Sequence, residues 1–326
     1  MTSEEAKPFV LASSPGPPRG LVPEHVHMLE ELFTVVWWDD FEANRDKFSN
    51  KIQGIFSQCG KPAVTEDLVA ALPNLKVVSN FGVGVNHLDV AMINRHGIKV
   101  GNTPHVLSDA VADVGMMLIL ASARRLIEGV NIARESKVYS MFMMGNDINE
   151  ATLGVIGMGN IGYKVAERAR AFNMNIIYYN RERRSVTDEE KVGAKYCMSL
   201  EVLLRQSDYV MVVVPLCKET CAMIGEREFQ LMKPTAVIIN IARGQVIDQD
   251  AMVDALQKKL IHGAALDVTY PEPLPPDHPL LHNPNVIVTP HFGSQTVETR
   301  RKMAQMVIDN LVAGIEGKPL PSEFKA

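Results

Sequence analysis

Three segments each place a reactive polar side chain just beyond an apolar run. They are Asn240-Ile241-Ala242-Arg243-Gly244-Gln245, Asp267-Val268-Thr269-Tyr270-Pro271-Glu272-Pro273 and Thr289-Pro290-His291-Phe292-Gly293-Ser294. A guanidinium, a carboxylate and an imidazole suffice to reduce a carbonyl. Negative charge growing on the carbonyl oxygen is stabilised by the cation and quenched by a proton from the imidazole, whose protonated form a neighbouring carboxylate favours. Taken singly, each residue has an ordinary alternative: a surface ion pair for Arg243, a turn for Glu272, a core hydrogen bond for His291. Their joint occurrence behind a glycine motif favours the chemistry.

That motif is Gly157-Met158-Gly159-Asn160-Ile161-Gly162, a full G-x-G-x-x-G between an expected strand and an expected helix. Its first glycine allows a tight turn, its second lets backbone approach a pyrophosphate at the positive helix N-terminus, and its third allows close helix-to-strand packing. The competing interpretation is a glycine-rich turn that binds nothing. The end of the next strand reads Tyr179-Asn180-Arg181-Glu182-Arg183-Arg184. An NAD site places Asp or Glu about 20 residues after the glycines to bind the ribose 2′-hydroxyl, whereas a 2′-phosphate prefers arginine. Asn180 stands where the acid would be and Arg181 can pair with phosphate, so NADP (NADPH) is favoured over NAD. A solvated basic loop is the alternative, and Glu182 weakens the positive field.

Strands must carry these residues. Expected strands in the first hundred residues are Phe33–Trp38, Ile52–Phe56, Lys76–Asn80 and Ile98–Val100, with helices at Glu66–Leu72 and Asp89–Arg95. Such alternation implies βαβ units and a parallel sheet. Ser108 is a plausible N-cap for a buried helix running to Leu126, uninterrupted by proline. Six strands follow, at Leu153–Ile156, Asn175–Tyr179, Tyr209–Val214, Ala236–Ile241, Ala264–Val268 and Asn285–Val288. Helices are expected from Ile161 to Phe172, Leu200 to Arg205 and Gln249 to Lys258. Together these make an α/β, doubly wound, dinucleotide-type sheet. A final helix, Glu298 to Ile315, has no strand left to pair and is expected to pack back on the N-terminal domain.

Composition bounds the class. The 326 residues allow about two domains. Net charge is −5, which argues against a general nucleic-acid binder. The apolar stretch Val114–Ala123 is about half of what a membrane span needs. Met1-Thr2-Ser3-Glu4-Glu5 lacks a signal peptide's basic region, so the expectation is a cytosolic protein. Cys59, Cys197, Cys217 and Cys221 form no C-x-x-C pair, and no cluster has metal-ligand spacing.

With Asn80-Phe81-Gly82-Val83-Gly84-Val85-Asn86 and Gly101-Asn102-Thr103-Pro104, these segments resemble the D-isomer-specific 2-hydroxyacid dehydrogenase family over essentially the whole chain. Within it, the chain looks most like glyoxylate/hydroxypyruvate reductases, including 2-ketogluconate reductase-like proteins. The resemblance implies a flavodoxin-like substrate domain (1–104 and 292–326) into which a Rossmann-type NADP-binding domain (105–291) is inserted. It assigns Arg243 to the 2-oxo acid, His291 as general acid and Glu272 as its partner. It also assigns the amides of Val83 and Gly84, with Ser294, to the substrate. Pro215, Thr220 and Ala242 join the glycine loop at the cofactor, and Asp267 meets the nicotinamide carboxamide. A homodimer is implied, with Val111–Leu120 and the methionine-rich Met141–Met144 as contact surface, and no nucleic-acid or membrane partner. The chain departs from the family between Arg134 and Leu153, where Glu135–Met144 contains no tryptophan, so the choice of 2-oxo acid stays open. An alternative is a dinucleotide-sensing interaction module like the family's corepressors, which Asn180-Arg181 and the short C-terminal tail disfavour. A dinucleotide-fold structural protein with a dead site is the third possibility.

Overall fold

Five parallel strands, β1 (Phe9–Ala12), β2 (Thr34–Trp37), β3 (Ile52–Ser57), β4 (Val77–Asn80) and β5 (Lys99–Gly101), form one sheet in the order β2-β1-β3-β4-β5. The computed structural model describes residues 6–16, 20–141 and 143–325. The inner strands read as continuous apolar runs because helices cover both faces of a parallel sheet. Val10, Leu11, Ala12, Ile55, Phe56, Val77 and Val78 are accordingly fully buried. Helix Val297–Ile315 lies on β3 and β4, sealing them with Met303, Val307 and Leu311. This sheet and helix belong to one compact unit, made of residues through Leu107 and from Thr296 onward. Its strand order is that of flavodoxin-like folds. Sequence reasoning omitted β1, although Phe9-Val10-Leu11-Ala12 between Pro8 and Ser13 has the composition of a buried strand.

The second unit, Ser108–Gln295, holds β6 (Thr152–Ile156), β7 (Asn175–Tyr179), β8 (Ala194–Tyr196), β9 (Tyr209–Val212), β10 (Val237–Asn240), β11 (Gly263–Leu266) and β12 (Val286–Val288). All pair in parallel, in the order β12-β11-β10-β9-β6-β7-β8. Strand order reverses between β6 and β9, the place where dinucleotide folds bind ligand beyond the carboxyl ends. The sheet has seven strands rather than the expected six. β8 escaped notice because three residues, one a lysine, carry no periodicity. It is placed by Gly193, whose left-handed φ of 68° ends helix Val186–Val192, and by pairing of Ala194 and Tyr196 with Ile176 and Tyr178.

The helix expected from Ser108 to Leu126 stops at Ala123. Arg125 turns left-handed at φ 51°, and a separate helix, Leu126–Arg134, begins. The Ala123 carbonyl instead accepts the Asn146 N–H (2.8 Å), a contact from a distant segment that no local signal announces. Val111, Val114, Met116, Leu118 and Ile119 are buried inside this unit, so these side chains are not the contact surface expected of them. All four cysteines are free, and no described helix is long and apolar enough to cross a membrane.

Candidate active site

The glycine motif occupies the β6-to-helix turn that its spacing predicts. Gly157 adopts φ 102°, a conformation costly for any residue with a Cβ, and its N–H bonds the Tyr179 carbonyl at the end of β7 (2.9 Å). A Cβ on Gly162 would lie 2.1 Å from the Gly157 carbonyl oxygen, so helix Asn160–Ala171 reaches the turn only with glycine there. Gly159 is the N-cap and no side chain caps the helix; a Cβ built on it would meet open space. The first-turn N–H groups, at the positive end of the helix dipole, thus suit a dinucleotide pyrophosphate. Met158 is buried beneath this turn, while Asn160 and Ile161 open the helix.

Beyond β7 the three arginines divide. Arg183 makes two bonds to Glu189 (2.9 and 2.7 Å), and Arg184 bonds the Met158 carbonyl (2.7 Å) and Asp188 (3.0 Å). Asn180 braces the loop through Nδ2 to the Glu182 carbonyl (2.9 Å). Arg181 is exposed, and among the described residues no hydrogen bond or ion pair holds it. Its charge reaches Glu219, whose carboxyl the Cys217 thiol and, less strongly, Arg181 hold below its ordinary value. Buried Glu189 is held low by the Arg183 bonds, against burial, while Tyr178 is pushed up to about 12 by burial and by its bond to Glu189. In the loop after β9, the Thr220 hydroxyl donates to the Pro215 carbonyl (2.6 Å) and accepts from Cys217 N–H (2.9 Å).

Arg243, Glu272 and His291 follow β10, β11 and β12, three neighbouring strands. His291 Nδ1 lies 2.9 Å from Glu272 Oε2, and Glu272 Oε1 accepts the Thr269 N–H (3.1 Å). Burial pushes the Glu272 carboxyl up, but the bond and charge of His291, the Thr269 N–H and the Arg243 charge together hold it below its ordinary value. Burial draws the Arg243 guanidinium down, against the pull of Glu272. The arginine nonetheless stays charged at any physiological pH.

His291 sits at φ 56°, an uncommon conformation for a residue with a side chain. Asp267 explains how it is held there. Its Oδ1 accepts from the Thr289 hydroxyl (2.7 Å) and Phe292 N–H (3.1 Å), and its Oδ2 from Gly293 N–H (2.9 Å). This buried carboxylate, assigned to the cofactor from sequence, here brackets His291 on both sides. Ser294 follows the bracket and is half-buried.

Several supports went unread in the sequence. Asn240 bonds Ala242 N–H (3.0 Å) and the Arg243 carbonyl (3.0 Å), which shapes the turn carrying the arginine. A Cβ on Gly244 would lie 2.1 Å from the Thr269 carbonyl carbon, so glycine lets the arginine turn abut the loop that leads from β11 to Glu272. Gln249 clamps Tyr270 through both its N–H (3.1 Å) and its carbonyl (2.8 Å). Asn240-Ile241-Ala242-Arg243-Gly244 carried a signal for the first two; nothing local announced Gln249.

The smaller unit carries the loop Gly82-Val83-Gly84. Asn80 Nδ2 donates to the carbonyls of Gly82 and Gly84 (both 3.0 Å), and Asn102 Nδ2 donates to that of Val83 (2.9 Å). Side-chain amides thus hold the loop by its carbonyls, and no described residue accepts from the N–H of Val83 or Gly84.

A glycine-loop dinucleotide fold with a cation, carboxylate and imidazole at the carboxyl ends of neighbouring strands defines a nucleotide-dependent oxidoreductase. Residues 116–293 match the family model described as D-isomer specific 2-hydroxyacid dehydrogenase, NAD binding domain, and the chain belongs to that family. It is 39% identical over 324 residues to glyoxylate reductase of Korarchaeum cryptofilum, covering 97% of this chain and 95% of that one. It is 40% identical over 294 residues to glyoxylate/hydroxypyruvate reductase B of Pectobacterium atrosepticum, covering 89% and 91%. Among solved structures, an NADPH-dependent glyoxylate/hydroxypyruvate reductase from Sinorhizobium meliloti, in complex with NADP and malonate, superposes with a TM-score of 0.85 at 31% identity, covering 98% of this chain and 97% of that one.

Proposed function

We propose that this chain reduces a small 2-oxo acid of the glyoxylate or hydroxypyruvate type to the D-2-hydroxy acid with NADPH. The His291–Glu272 bond of 2.9 Å, with the Arg243 charge in reach of Glu272, carries this reading. When bound, the reduced nicotinamide supplies the hydride to the carbonyl carbon. Arg243 binds and polarises the oxo acid. With Nδ1 committed to Glu272, protonated His291 gives its Nε2 proton to the oxygen that becomes the hydroxyl, and solvent then reprotonates the neutral imidazole that is left. Arg181 pairs with the 2′-phosphate. The relatives' names, glyoxylate reductase and glyoxylate/hydroxypyruvate reductase B, support the substrate class.

The enzyme acts as a homodimer in this proposal. Support comes from Leu126, Ile127, Val130, Tyr139, Met141 and Met144, which are exposed on and after helix Leu126–Arg134. Phe142, in the expected methionine-rich surface, lies outside the described residues.

Steady-state assays of glyoxylate, hydroxypyruvate, pyruvate and 2-ketogluconate with NADPH and with NADH test the assignment. Fastest turnover of glyoxylate or hydroxypyruvate with NADPH is expected. No turnover of any 2-oxo acid would sink it and favour a dinucleotide-sensing module.

A further inference from the structure

The strand-end loop and the glycine loop are joined by one side chain that neither motif names. Arg184 donates from Nε to the Met158 carbonyl, in the middle of the glycine loop (2.7 Å), and from a terminal nitrogen to Asp188 (3.0 Å). Its guanidinium lies 4.6 Å from the ring centroid of Tyr163, in the first turn of the helix that the glycine loop opens. Its backbone N–H bonds the Tyr178 hydroxyl (2.9 Å), which donates to buried Glu189 (2.6 Å), so the arginine's own position is fixed from β7. Two hydrogen bonds and the Tyr163 ring hold the guanidinium, a third bond holds its backbone, and its side chain is 26% exposed.

We propose that Arg184 is a positioning residue of the cofactor site. It ties the glycine loop to the strand-end loop, so that the backbone facing the pyrophosphate and the residues facing the ribose are presented as one rigid part. The Gly157 N–H to Tyr179 carbonyl bond is the backbone half of this tie (2.9 Å), and Arg184 is the side-chain half. The fork of the guanidinium suits this place: a lysine ammonium could bond Met158 or Asp188 but has no second, fixed nitrogen to bond both while lying over the Tyr163 ring. Arg184 therefore acts on binding of either dinucleotide, whereas Arg181 distinguishes them.

The proposal rests on the dinucleotide site but not on its preference for NADPH, and the experiment separates the two. Dissociation constants of NADPH and NADH, read from the fluorescence of the reduced cofactor, are measured for wild type, Arg184→Ala, Arg184→Lys and Tyr163→Leu, alongside KM for the oxo acid. Arg184→Ala is expected to weaken both cofactors by about tenfold, the scale of a charge-assisted bond. Arg184→Lys should fall between wild type and alanine, Tyr163→Leu should weaken both cofactors in the same direction, and KM for the oxo acid should stay within about twofold. Unchanged Kd values for both dinucleotides in Arg184→Ala would overturn the proposal. A loss confined to NADPH would also overturn it, since Arg184 would then read the phosphate directly. If Arg184→Ala fails to fold, Arg184→Lys and Tyr163→Leu decide: equal Kd values to wild type in both refute the tie. A wild-type preference for NADH would refute the NADPH reading and leave this inference standing.

Discussion

His291 Nδ1 and Glu272 Oε2 meet at 2.9 Å across 19 positions of sequence. The pair forms because Asp267 brackets the His291 loop and Thr269 N–H holds the other oxygen of Glu272. Imidazole orientation is thus set by a chain of hydrogen bonds before any substrate arrives.

His291→Ala should lower kcat/KM for reduction by about 10²–10⁴-fold and leave cofactor affinity nearly unchanged, as removal of a positioned acid does. Stopped-flow binding beside steady-state turnover checks both parts. Ordinary activity in the variant removes His291 from the mechanism.

Glu272 is held below its ordinary value, so its support of the loop is fully present above the range where a free glutamate titrates and fades as pH falls through the lowered value. Glu272→Gln keeps an acceptor for His291 Nδ1 but has no carboxylate to protonate, so an acid-side fall-off of kcat/KM that follows Glu272 should disappear in the variant, and an unchanged acid limb of the pH–rate profile would show that the pair plays no part.

Arg243→Lys should damage activity far more than stability, because an ammonium cannot make a planar two-point contact with an oxo acid. Thermal unfolding within a few degrees of wild type, with kcat/KM down by about tenfold or more, is the expected outcome. Retention of both KM and kcat would refute the assignment.

Cofactor choice should follow the end of β7. Arg181→Ala removes a phosphate contact, and Asn180→Asp adds repulsion against phosphate together with an acceptor for a ribose hydroxyl. Charge-assisted contacts contribute about 1.5–3 kcal/mol and 1.4 kcal/mol is tenfold, so the double variant should shift the NADPH to NADH ratio of kcat/KM by at least roughly tenfold. A ratio indifferent to both changes would show that these residues do not read the 2′-phosphate.

Gly162→Ala should destabilise the protein by about 1–3 kcal/mol, the usual cost of overpacking, since the new methyl meets a backbone oxygen that cannot swing away. Chemical denaturation measures this directly. Wild-type stability would mean that the helix can slide off the turn.

Much of this protein was legible in its residues. Glycine 157, 159 and 162 announce a turn, an open cap and a close contact because each demand is local: a positive φ, an uncapped helix end, a missing Cβ. Apolar runs such as Asn175–Tyr179 located strands for the same reason, as did the fourfold spacing of Met303, Val307 and Leu311 for the last helix. That Arg243, Glu272 and His291 each follow a strand was legible because an apolar run precedes each of them, and strand ends are where such folds gather ligand-facing groups. Only the tertiary structure decided the rest, since it depends on partners far away in sequence. Ala123 ends its helix by meeting Asn146, Ala194–Tyr196 becomes a strand by lying beside β7, and Val111, Val114, Met116, Leu118 and Ile119 turn inward while Met117 stays exposed. Three arginines within four positions look alike in sequence, yet Glu189 claims Arg183 and Met158 and Asp188 claim Arg184, while no described residue holds Arg181 by a hydrogen bond or ion pair. A side chain's chemistry is carried by its type; which of its neighbours uses that chemistry is settled by packing.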